Sequence, residues 1–441
     1  MTFTQALQLY QSGALEQGHA VALSGLKQNP NDGKLLQVLG LIETQRGQLD
    51  MAAHYYQQAI PKLLDALSTQ INLSDVYRRQ GRISEAIALL EPLHTQGLNP
   101  ILLQKNLGIL YSLNQQWDLA ELMLTRVLAQ NPAEAAVAYT LGVLYLTLGR
   151  YQEAWVLHEK RPSLKGVLAE HAAKLKWGAA QTVRGKTIKV VMEQGRGDAL
   201  MLARFLALLR ANHNTVIFEC VPELQRLMQA SACVDEVLPI GATAPKVDWV
   251  VPIMSLAFWW GCTLDQIPGP VPYIKIAKDP GHPAAALIGG QPGQVKWGLV
   301  WGGNPKQGKD RQRSASLKML GPLLAIPAVQ WFSLQCDNRK SELEQVSVAT
   351  PLTDLSPYID DYYDTAQALQ CLDLVVSVDT SLAHLAGAMG RPVHIILSTQ
   401  ADWRWLLHGD TSPWYPNAKL WRQGSTGDWL GLAQRMAREL A

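Results

Sequence analysis

Cysteine is scarce in this chain of 441 residues, and its distribution excludes two classes of protein. The cysteines are Cys220, Cys233, Cys262, Cys336 and Cys371. Their number is odd, they are scattered, and no two of them form a Cys-x-x-Cys pair. This pattern argues against a disulfide framework and against a zinc site, and it fits a reduced compartment.

The chain also lacks an excess of charge and lacks long apolar runs. Its 39 basic and 37 acidic residues leave a net charge of only +2, and no long basic run occurs. We therefore predict no general nucleic-acid or membrane-surface binding, and any cationic site must be local. No apolar run approaches about 18 residues, and the first residues lack the basic and apolar regions of an export signal. We expect a cytoplasmic protein of two or three domains without a membrane span.

A period of 34 residues runs through the first third of the chain. Glycine, or once glutamine, recurs at Gly13, Gly47, Gly81, Gln115 and Gly149. A small residue follows five positions later, at Gly18, Ala52, Ala86, Ala120 and Ala154. The pattern resembles the tetratricopeptide repeat, in which two antiparallel helices meet at small residues and the central glycine makes the turn. We expect five such units, the first of them degenerate.

A repeat array of this kind leaves a concave groove, which usually holds a peptide or another protein. The alternative is that the five units extend the following domain or form a dimer interface. The stretch Leu157–Lys176, which contains Arg161-Pro162, is predicted to be a helical joint to the rest of the chain.

Strands alternate with helices from Lys186 onward, which predicts a parallel doubly wound sheet. The first predicted strands are Thr187–Met192 and Thr215–Cys220, each followed by a helix, Asp198–Ala211 and Pro222–Ala230. Such a sheet places the loops after its strands at one edge, where α/β proteins bind ligands.

The first strand-to-helix turn, Glu193–Asp198, has two glycines but lacks the third glycine of the dinucleotide fingerprint, which disfavours a nicotinamide cofactor. Asp198 lies where a carboxylate can take a proton from a hydroxyl, although an N-cap is the alternative. Arg204 either is a solvated charge or reaches back to the loop. Ser255 follows another predicted strand, Asp248–Val251, at a position where a polar side chain can meet a ligand.

A basic loop follows the predicted strand Val295–Gly302. Residues 303–314 hold four basic residues and one acid ahead of a predicted helix, Ser316–Ala325. Arginine and lysine supply several donors to phosphate oxygens, so the loop is a candidate clamp for a diphosphate. Solvated loop charges are the alternative.

The stretch Leu374–Pro392 joins an apolar β-branched run to a helix rich in small residues. Asp379, Thr380 and Ser381 follow the strand, where the first N–H groups of the helix form an anion site. His384, in the second turn, can donate to a phosphate or sugar oxygen. The alternative is that Asp379 caps the helix and His384 only packs.

Six motifs span the region from Lys186 to the end of the chain in order. They are Glu193–Asp198, Gly298–Pro305, Asp310–Ser314, Val378–Gly387, Asp402–Trp405 and Ser412–Pro416. Together they resemble the heptosyltransferase-like glycosyltransferases, and more closely the bacterial proteins in which such a domain follows tetratricopeptide repeats.

The resemblance implies an N-terminal α-solenoid of tetratricopeptide repeats (1–168) followed by two Rossmann-like α/β domains of the GT-B fold. The first of these (169–285) is implied to face the acceptor and the second (286–441) to hold a nucleotide-sugar. An inverting glycosyltransferase is implied, with the nucleotide-sugar as co-substrate and no further cofactor. No Asp-x-Asp occurs in the chain, so we expect no metal bridge to the diphosphate.

The resemblance implies that Asp198 is the catalytic base. The expected donor-binding residues are Asn304, Lys309, Arg311, Arg313, Asp379, Thr380, Ser381 and His384, and those on the acceptor or sugar side are Gln194, Gly195, Gly197 and Ser255. Two positions depart from the family pattern. Gln307 stands where relatives usually carry histidine, and 199–202 replace a more polar helix start.

The repeats suggest that the acceptor is a polypeptide held in their groove, such as a surface or flagellar protein modified before export, as similar repeat-fused transferases imply. The alternative is a catalytically inactive scaffold whose repeats bind a protein and whose second region binds a nucleotide. The sequence does not predict which sugar or which nucleotide is used.

Overall fold

The structure is a computed structural model that describes residues 2–98, 100–164, 177–243, 245–289, 294–305, 310–345 and 351–441. The chain divides into two compact units, Met1–Leu144 and Tyr145–Ala441. None of the helices in the described ranges is long and apolar enough to cross a bilayer.

The first unit consists of antiparallel helix pairs. Its helices are α1 (Thr2–Gln11), α2 (Leu15–Gln28), α3 (Gly33–Arg46), α4 (Leu49–Ala59), α5 (Leu67–Arg79), α6 (Ile83–Thr95), α7 (Ile101–Leu113) and α8 (Trp117–Gln130). Helix α9 (Ala135–Thr147) contains the boundary between the units, and α10 (Tyr151–His158) follows it. The predicted repeat array is therefore present.

The period of 34 marks the turn between the two helices of each pair. Gly13, Gly47, Gly81 and Gly149 have φ angles between 77° and 80°, and Gln115 has a φ of 60°. Glycine is preferred there because a Cβ disfavours the left-handed region. The small residues mark close helix contacts, since a Cβ on Gly40 would overlap the ring of Tyr56.

A four-stranded parallel sheet begins the α/β region of the second unit. Its order is β3-β2-β1-β4, with β1 (Thr187–Val191), β2 (Thr215–Cys220), β3 (Glu236–Pro239) and β4 (Trp249–Pro252). The helices are α11 (Arg196–Ala211), α12 (Pro222–Ala230) and α13 (Ser255–Trp260). Helix α11 begins two residues earlier than predicted, so Asp198 is its third residue and not its first.

A six-stranded parallel sheet forms the second half. Its order is β10-β9-β8-β5-β6-β7, with β5 (Val295–Val300), β6 (Val329–Ser333), β7 (Leu352–Asp354), β8 (Leu374–Val378), β9 (Val393–Leu397) and β10 (Ala418–Arg422). The helices are α14 (Pro283–Gly289), α15 (Asp310–Arg313), α16 (Gly321–Leu324), α17 (Glu342–Gln345), α18 (Tyr362–Leu369), α19 (Ser381–Ala388) and α20 (Trp429–Leu440).

Two predicted elements in this half have different bounds, for identifiable reasons. Strand β5 ends at Val300 because the N–H groups of Trp301 and Gly302 donate to the side-chain oxygen of Gln335. The predicted helix over 316–325 is a 3₁₀ turn followed by α16, which has Pro322 in its first turn. Proline has no N–H to continue the preceding turn, so a new helix begins there.

The strand order fixes where a ligand can bind. Strand β5 lies between β6 and β8, and the chain reaches β6, β7 on one side and β8, β9, β10 on the other. This reversal creates a crevice at the carboxyl ends of β5 and β8. A ligand site is therefore expected among the loops that follow these two strands.

The contact between Gly40 and Tyr56 gives a test of the repeat packing. We expect Gly40→Val to lower the free energy of unfolding of the first unit by about 1–3 kcal/mol, because the added methyl groups overlap a buried ring. Gln45→Val introduces the same side chain at an exposed position of α3 and is expected to change it by about 0.5 kcal/mol or less. Urea unfolding followed by circular dichroism measures both, and equal losses would contradict the packing argument.

Candidate functional site

A cavity of about 630 Å³ lies at the carboxyl ends of strands from both sheets. Its walls come from the loops that follow β1, β5, β6, β7, β8 and β9 and from the start of α12. The predicted site residues that line it are Gly195, Gly197, Asp198, Asn304, Arg313, Asp379, Thr380, Ser381 and His384. Residues nearly 190 positions apart in the sequence thus meet around one space.

Three predicted site residues in the described ranges are not brought to this cavity, and a fourth lies outside those ranges. Ser255 is fully buried, and its hydroxyl is bonded to Arg161 and Glu159. Gln194 and Arg311 are exposed and do not contribute to the described cavity wall. Lys309 lies outside the described residues, and so does Gln307, the position at which relatives usually carry histidine. The expectation that Ser255 meets a ligand fails because the first turn of α13 is packed inside the protein.

The carboxylate of Asp198 is held by two donors. Its Oδ2 atom accepts a hydrogen bond of 2.9 Å from the N–H of Gly195, and its Oδ1 atom contacts the guanidinium of Arg404. Arg404 also contacts Asp402 through its other terminal nitrogen. Burial raises the pKa of Asp198, while Arg404 and the Gly195 N–H oppose that rise.

A second carboxylate, Asp379, lies half-buried at the end of β8. Burial and the negative charge of Asp402 raise its pKa to about 6, and the positive charges of Arg313 and Arg404 oppose this rise. Arg313 reaches the cavity across Gly303, since a Cβ there would lie 2.6 Å from its Nη2 atom. The cavity therefore has carboxylates and guanidinium groups close together.

His384 is buried and neutral. Its Nδ1 atom lies 2.9 Å from the Tyr415 hydroxyl, and its ring stacks on Trp405 with the centroids 5.1 Å apart. Burial lowers its pKa to about 3, and the charge of Arg404 acts in the same direction. The imidazole at this wall of the cavity is thus a hydrogen-bonding group without charge at neutral pH.

The amino ends of α11 and α19 approach each other at the cavity. A Cβ on Gly197 would lie 2.8 Å from the Cδ2 atom of His384. Thr380 is the N-cap of α19, so Asp379 is not the capping residue, and the Thr380 hydroxyl lies 3.0 Å from that of Ser377. The Ser381 hydroxyl contacts the Tyr362 hydroxyl. Glycine at 197 is what permits this close approach.

Comparison with sequence models of protein families identifies both regions. Residues 344–419 match glycosyltransferase family 9 (heptosyltransferase), and residues 66–92 and 106–157 match tetratricopeptide repeats. The chain combines tetratricopeptide repeats with a family 9 glycosyltransferase domain. This confirms the predicted fusion of repeats with a heptosyltransferase-like domain, and the match supports a role in glycosyl transfer.

Individual relatives are distant from this chain. Protein FlbA of Caulobacter vibrioides is 23% identical over 338 residues, which are 69% of this chain and 55% of FlbA, so the chain spans about half of that relative. Escherichia coli ADP-heptose LPS heptosyltransferase II is 14% identical with a TM-score of 0.45, covering 58% of this chain and 97% of that one. The TPR protein YrrB is 19% identical with a TM-score of 0.33, covering 40% and 91%.

Three groups that form or support the cavity are not predicted from the sequence. Gln335 fixes the loop after β5 by bonding the backbone of Trp301 and Gly302. Arg339 contacts the Gly303 carbonyl and the buried carboxylate of Asp310. Both follow β6, and the rule that parallel strands end at one edge would have placed them near the site. Arg404 lies in one of the six motifs, but its sequence context indicates no role for it.

Three arginines join the two halves of the glycosyltransferase domain. Arg204 is buried and donates to the carbonyl oxygen of Trp414 at 2.7 Å, so it is not a solvated charge. Arg226, on α12, pairs with Asp361 and Asp364 at the start of α18. Arg404 is the third, through its contact with Asp198. Each of these three arginines, or the residue that it contacts, lies on or next to a helix that borders the cavity.

A buried ion cluster supports the loop that carries Asp198. Arg161 is 2% exposed and makes two bonds to the carboxylate of Glu193, of 3.0 Å and 2.5 Å. It also bonds Glu159 and Ser255. Glu193 directly precedes the turn whose Gly195 N–H holds Asp198. Arg161 therefore holds the first strand-to-helix turn in place through its bonds to Glu193.

Removal of Arg161 is expected to destabilise the glycosyltransferase domain strongly. Arg161→Leu leaves the carboxylate of Glu193 buried without its partner, which costs about 3–5 kcal/mol. Arg210→Leu breaks the half-exposed pair with Asp235, and it is expected to cost about 1 kcal/mol or less. The free energy of unfolding from denaturant titration measures both variants. A loss for Arg161→Leu no larger than that for Arg210→Leu would contradict this role.

Proposed function

We propose that the protein is a glycosyltransferase that moves a sugar from a nucleoside-diphosphate donor to an acceptor with inversion at the anomeric carbon. The observation that carries this proposal is one cavity that brings together a half-buried carboxylate, Asp198, the guanidinium groups of Arg313 and Arg404, and the amino end of α19. A base and an anion site side by side are what transfer from a diphosphate requires.

In the proposed mechanism, Asp198 accepts the proton of the acceptor hydroxyl while the acceptor oxygen forms its bond to the anomeric carbon. The bond between that carbon and the phosphate oxygen breaks, and the diphosphate leaves with the electron pair. The position of Asp198 in the first half of the domain is opposite the groups that would hold the donor. Attack from the face opposite the leaving group gives inversion.

We propose that fixed groups of the chain stabilise the leaving diphosphate without a metal bridge. Arg313 offers charged donors, Thr380 and Ser381 offer hydroxyls, and the backbone N–H groups of α19 carry the positive end of its dipole. Asn304 and neutral His384 supply hydrogen bonds without charge to the phosphate or the sugar. Gly195 and Gly197, which line the cavity beside Asp198, are proposed to face the sugar or the acceptor.

The acceptor is proposed to be a polypeptide bound by the tetratricopeptide repeats. Such repeats commonly bind extended peptides or other proteins, and the family matches at 66–92 and 106–157 support this use. The reaction is proposed to take place in the cytoplasm.

Asp198→Asn tests the base. We expect the rate of transfer to fall by about 10²–10⁴-fold, because the amide cannot take the acceptor proton, while donor binding is retained. A thermal-shift screen of nucleoside diphosphates and then nucleotide-sugars identifies the donor, and release of nucleoside diphosphate in the presence of candidate polypeptides measures transfer. Asp235→Asn is the matched control away from the cavity. Full turnover by Asp198→Asn would exclude the assignment, and tight donor binding without any turnover by the wild type would favour an inactive scaffold.

Arg313→Ala and Arg311→Ala separate the structural assignment from the sequence prediction, which named both. Arg313 lines the cavity whereas Arg311 is exposed outside it. Loss of a charged hydrogen bond costs about 1.5–3 kcal/mol, so Arg313→Ala should weaken donor binding by roughly 10–100-fold. Arg311→Ala is expected to stay within about twofold. Titration calorimetry with the identified nucleotide-sugar measures both, and equal losses would contradict the role of this wall.

A further inference from the structure

The pairing of Asp198 with Arg404 conflicts with simple base catalysis by Asp198. A carboxylate in contact with a guanidinium is a weaker base than the same carboxylate without that contact, although burial still keeps the pKa of Asp198 above its ordinary value. Its second oxygen is already bonded to the Gly195 N–H at 2.9 Å. In this arrangement both oxygens of Asp198 have donors, so the group that should accept a proton is occupied.

Arg404 is held in a way that lets it change partner. It lies in the short turn Trp403–Trp405 after β9, lines the cavity, and stacks over the ring of Trp403 at 4.3 Å. Asp402 contacts its Nη1 atom and also caps its backbone N–H at 3.2 Å. Asp402 and Trp403 therefore keep the guanidinium in the cavity even when its contact with Asp198 is broken.

We propose that Arg404 is a ligand of the donor diphosphate and that donor binding draws it away from Asp198, which frees the base only in the donor complex. This inference rests on the function proposed above. A diphosphate offers at least two negative charges and several acceptor oxygens, whereas Asp198 offers one charge. The anion therefore competes successfully for the guanidinium.

The charged groups around Asp198 determine whether its proton affinity rises or falls when the donor binds. Arg404 and Asp402 face it from the turn after β9, Asp379 faces Arg404 from the end of β8, and Arg313 faces Asp379 from α15. On α11 and α12, Arg196 is paired with Glu223, and His384 on α19 carries no charge near neutral pH. When Arg404 turns to an anion, Asp198 loses its nearest cation and gains a negative neighbour. Its proton affinity then rises, so donor binding is coupled to proton uptake.

The coupling also orders the reaction. Before the donor binds, the charge of Asp198 is balanced by its ion pair with Arg404, and Asp198 does not activate an acceptor hydroxyl. Once the diphosphate takes the guanidinium, Asp198 accepts the acceptor proton, and Arg404 is already in contact with the leaving group as the bond to the anomeric carbon breaks. One residue thereby serves both substrates at different steps.

Titration calorimetry in buffers of different ionisation enthalpy tests this inference without any turnover. The probes are UDP-glucose, GDP-mannose and ADP-glucose, without acceptor, because their diphosphate diesters have no phosphate proton that titrates near neutral pH. For the sugar nucleotide that binds tightest, we expect wild-type protein to take up on the order of 0.5 proton at a pH near 6. Asp198→Asn should bind with clearly less uptake. Arg404→Gln should bind at least about 10-fold more weakly and also lose the uptake.

Arg210→Gln, whose side chain pairs with Asp235 away from the cavity, is the matched control and should keep wild-type affinity and uptake. Uptake in Asp198→Asn equal to that of the wild type would overturn the inference, since Asp379 would then be its source. Binding by the wild type without uptake between pH 5.5 and 8 would also overturn it while leaving the proposed transfer intact. Failure of all three probes to bind would count against the proposed donor class and so against both. If Arg404→Gln does not fold, the comparison of wild type with Asp198→Asn decides alone.

Discussion

The ion pair of Asp198 and Arg404 is the interaction on which the glycosyltransferase domain depends most. It connects the first helix of one sheet to a turn beside the other, and both side chains are largely withdrawn from solvent. A charge withdrawn from solvent needs a partner, so in the absence of donor the pair holds the two halves in one relative position. Arg204 and Arg226 reinforce the same arrangement through Trp414 and Asp364. The cavity is the space left between elements that these arginines hold together.

The carboxylates around this cavity have different environments, and their chemistry differs accordingly. Asp198 contacts a guanidinium, Asp402 supports that guanidinium from the other side, and Asp379 is half-buried with a pKa raised to about 6. The three carboxylates therefore differ in role. Asp198 exchanges partners in the mechanism proposed above, Asp402 keeps a cation in place, and the pKa of Asp379 lies close to neutral pH. His384 adds hydrogen bonding but no charge. This division of roles is what a site needs when it must hold an anion and also generate a nucleophile.

Much of this architecture could be predicted because it follows from local rules. The period of 34 predicted the turns, and the left-handed φ angles at Gly47 and Gly81 show why glycine recurs. The run before Asp379 predicted β8 with its bounds, and the family resemblance implied an acceptor side with Asp198 and a donor side with Asp379, two residues that line one cavity. Side-chain partners could not be predicted in this way. Ser255 is occupied by Arg161 from 94 residues away, and Arg404 meets Asp198 across 206 residues. Such pairings depend on packing between elements, which no local pattern encodes.

Gly197 has a consequence for motion in the domain. Its backbone rests against the edge of the His384 ring, with no side chain between the two helices. If the halves of a transferase swing toward each other around a donor, this close approach limits the movement, because even a Cβ at 197 would lie only 2.8 Å from the Cδ2 atom of His384. The approach of the two helices at this point is then limited by the glycine backbone and the imidazole. A rearrangement on binding comes instead from side chains or from rotation about that contact.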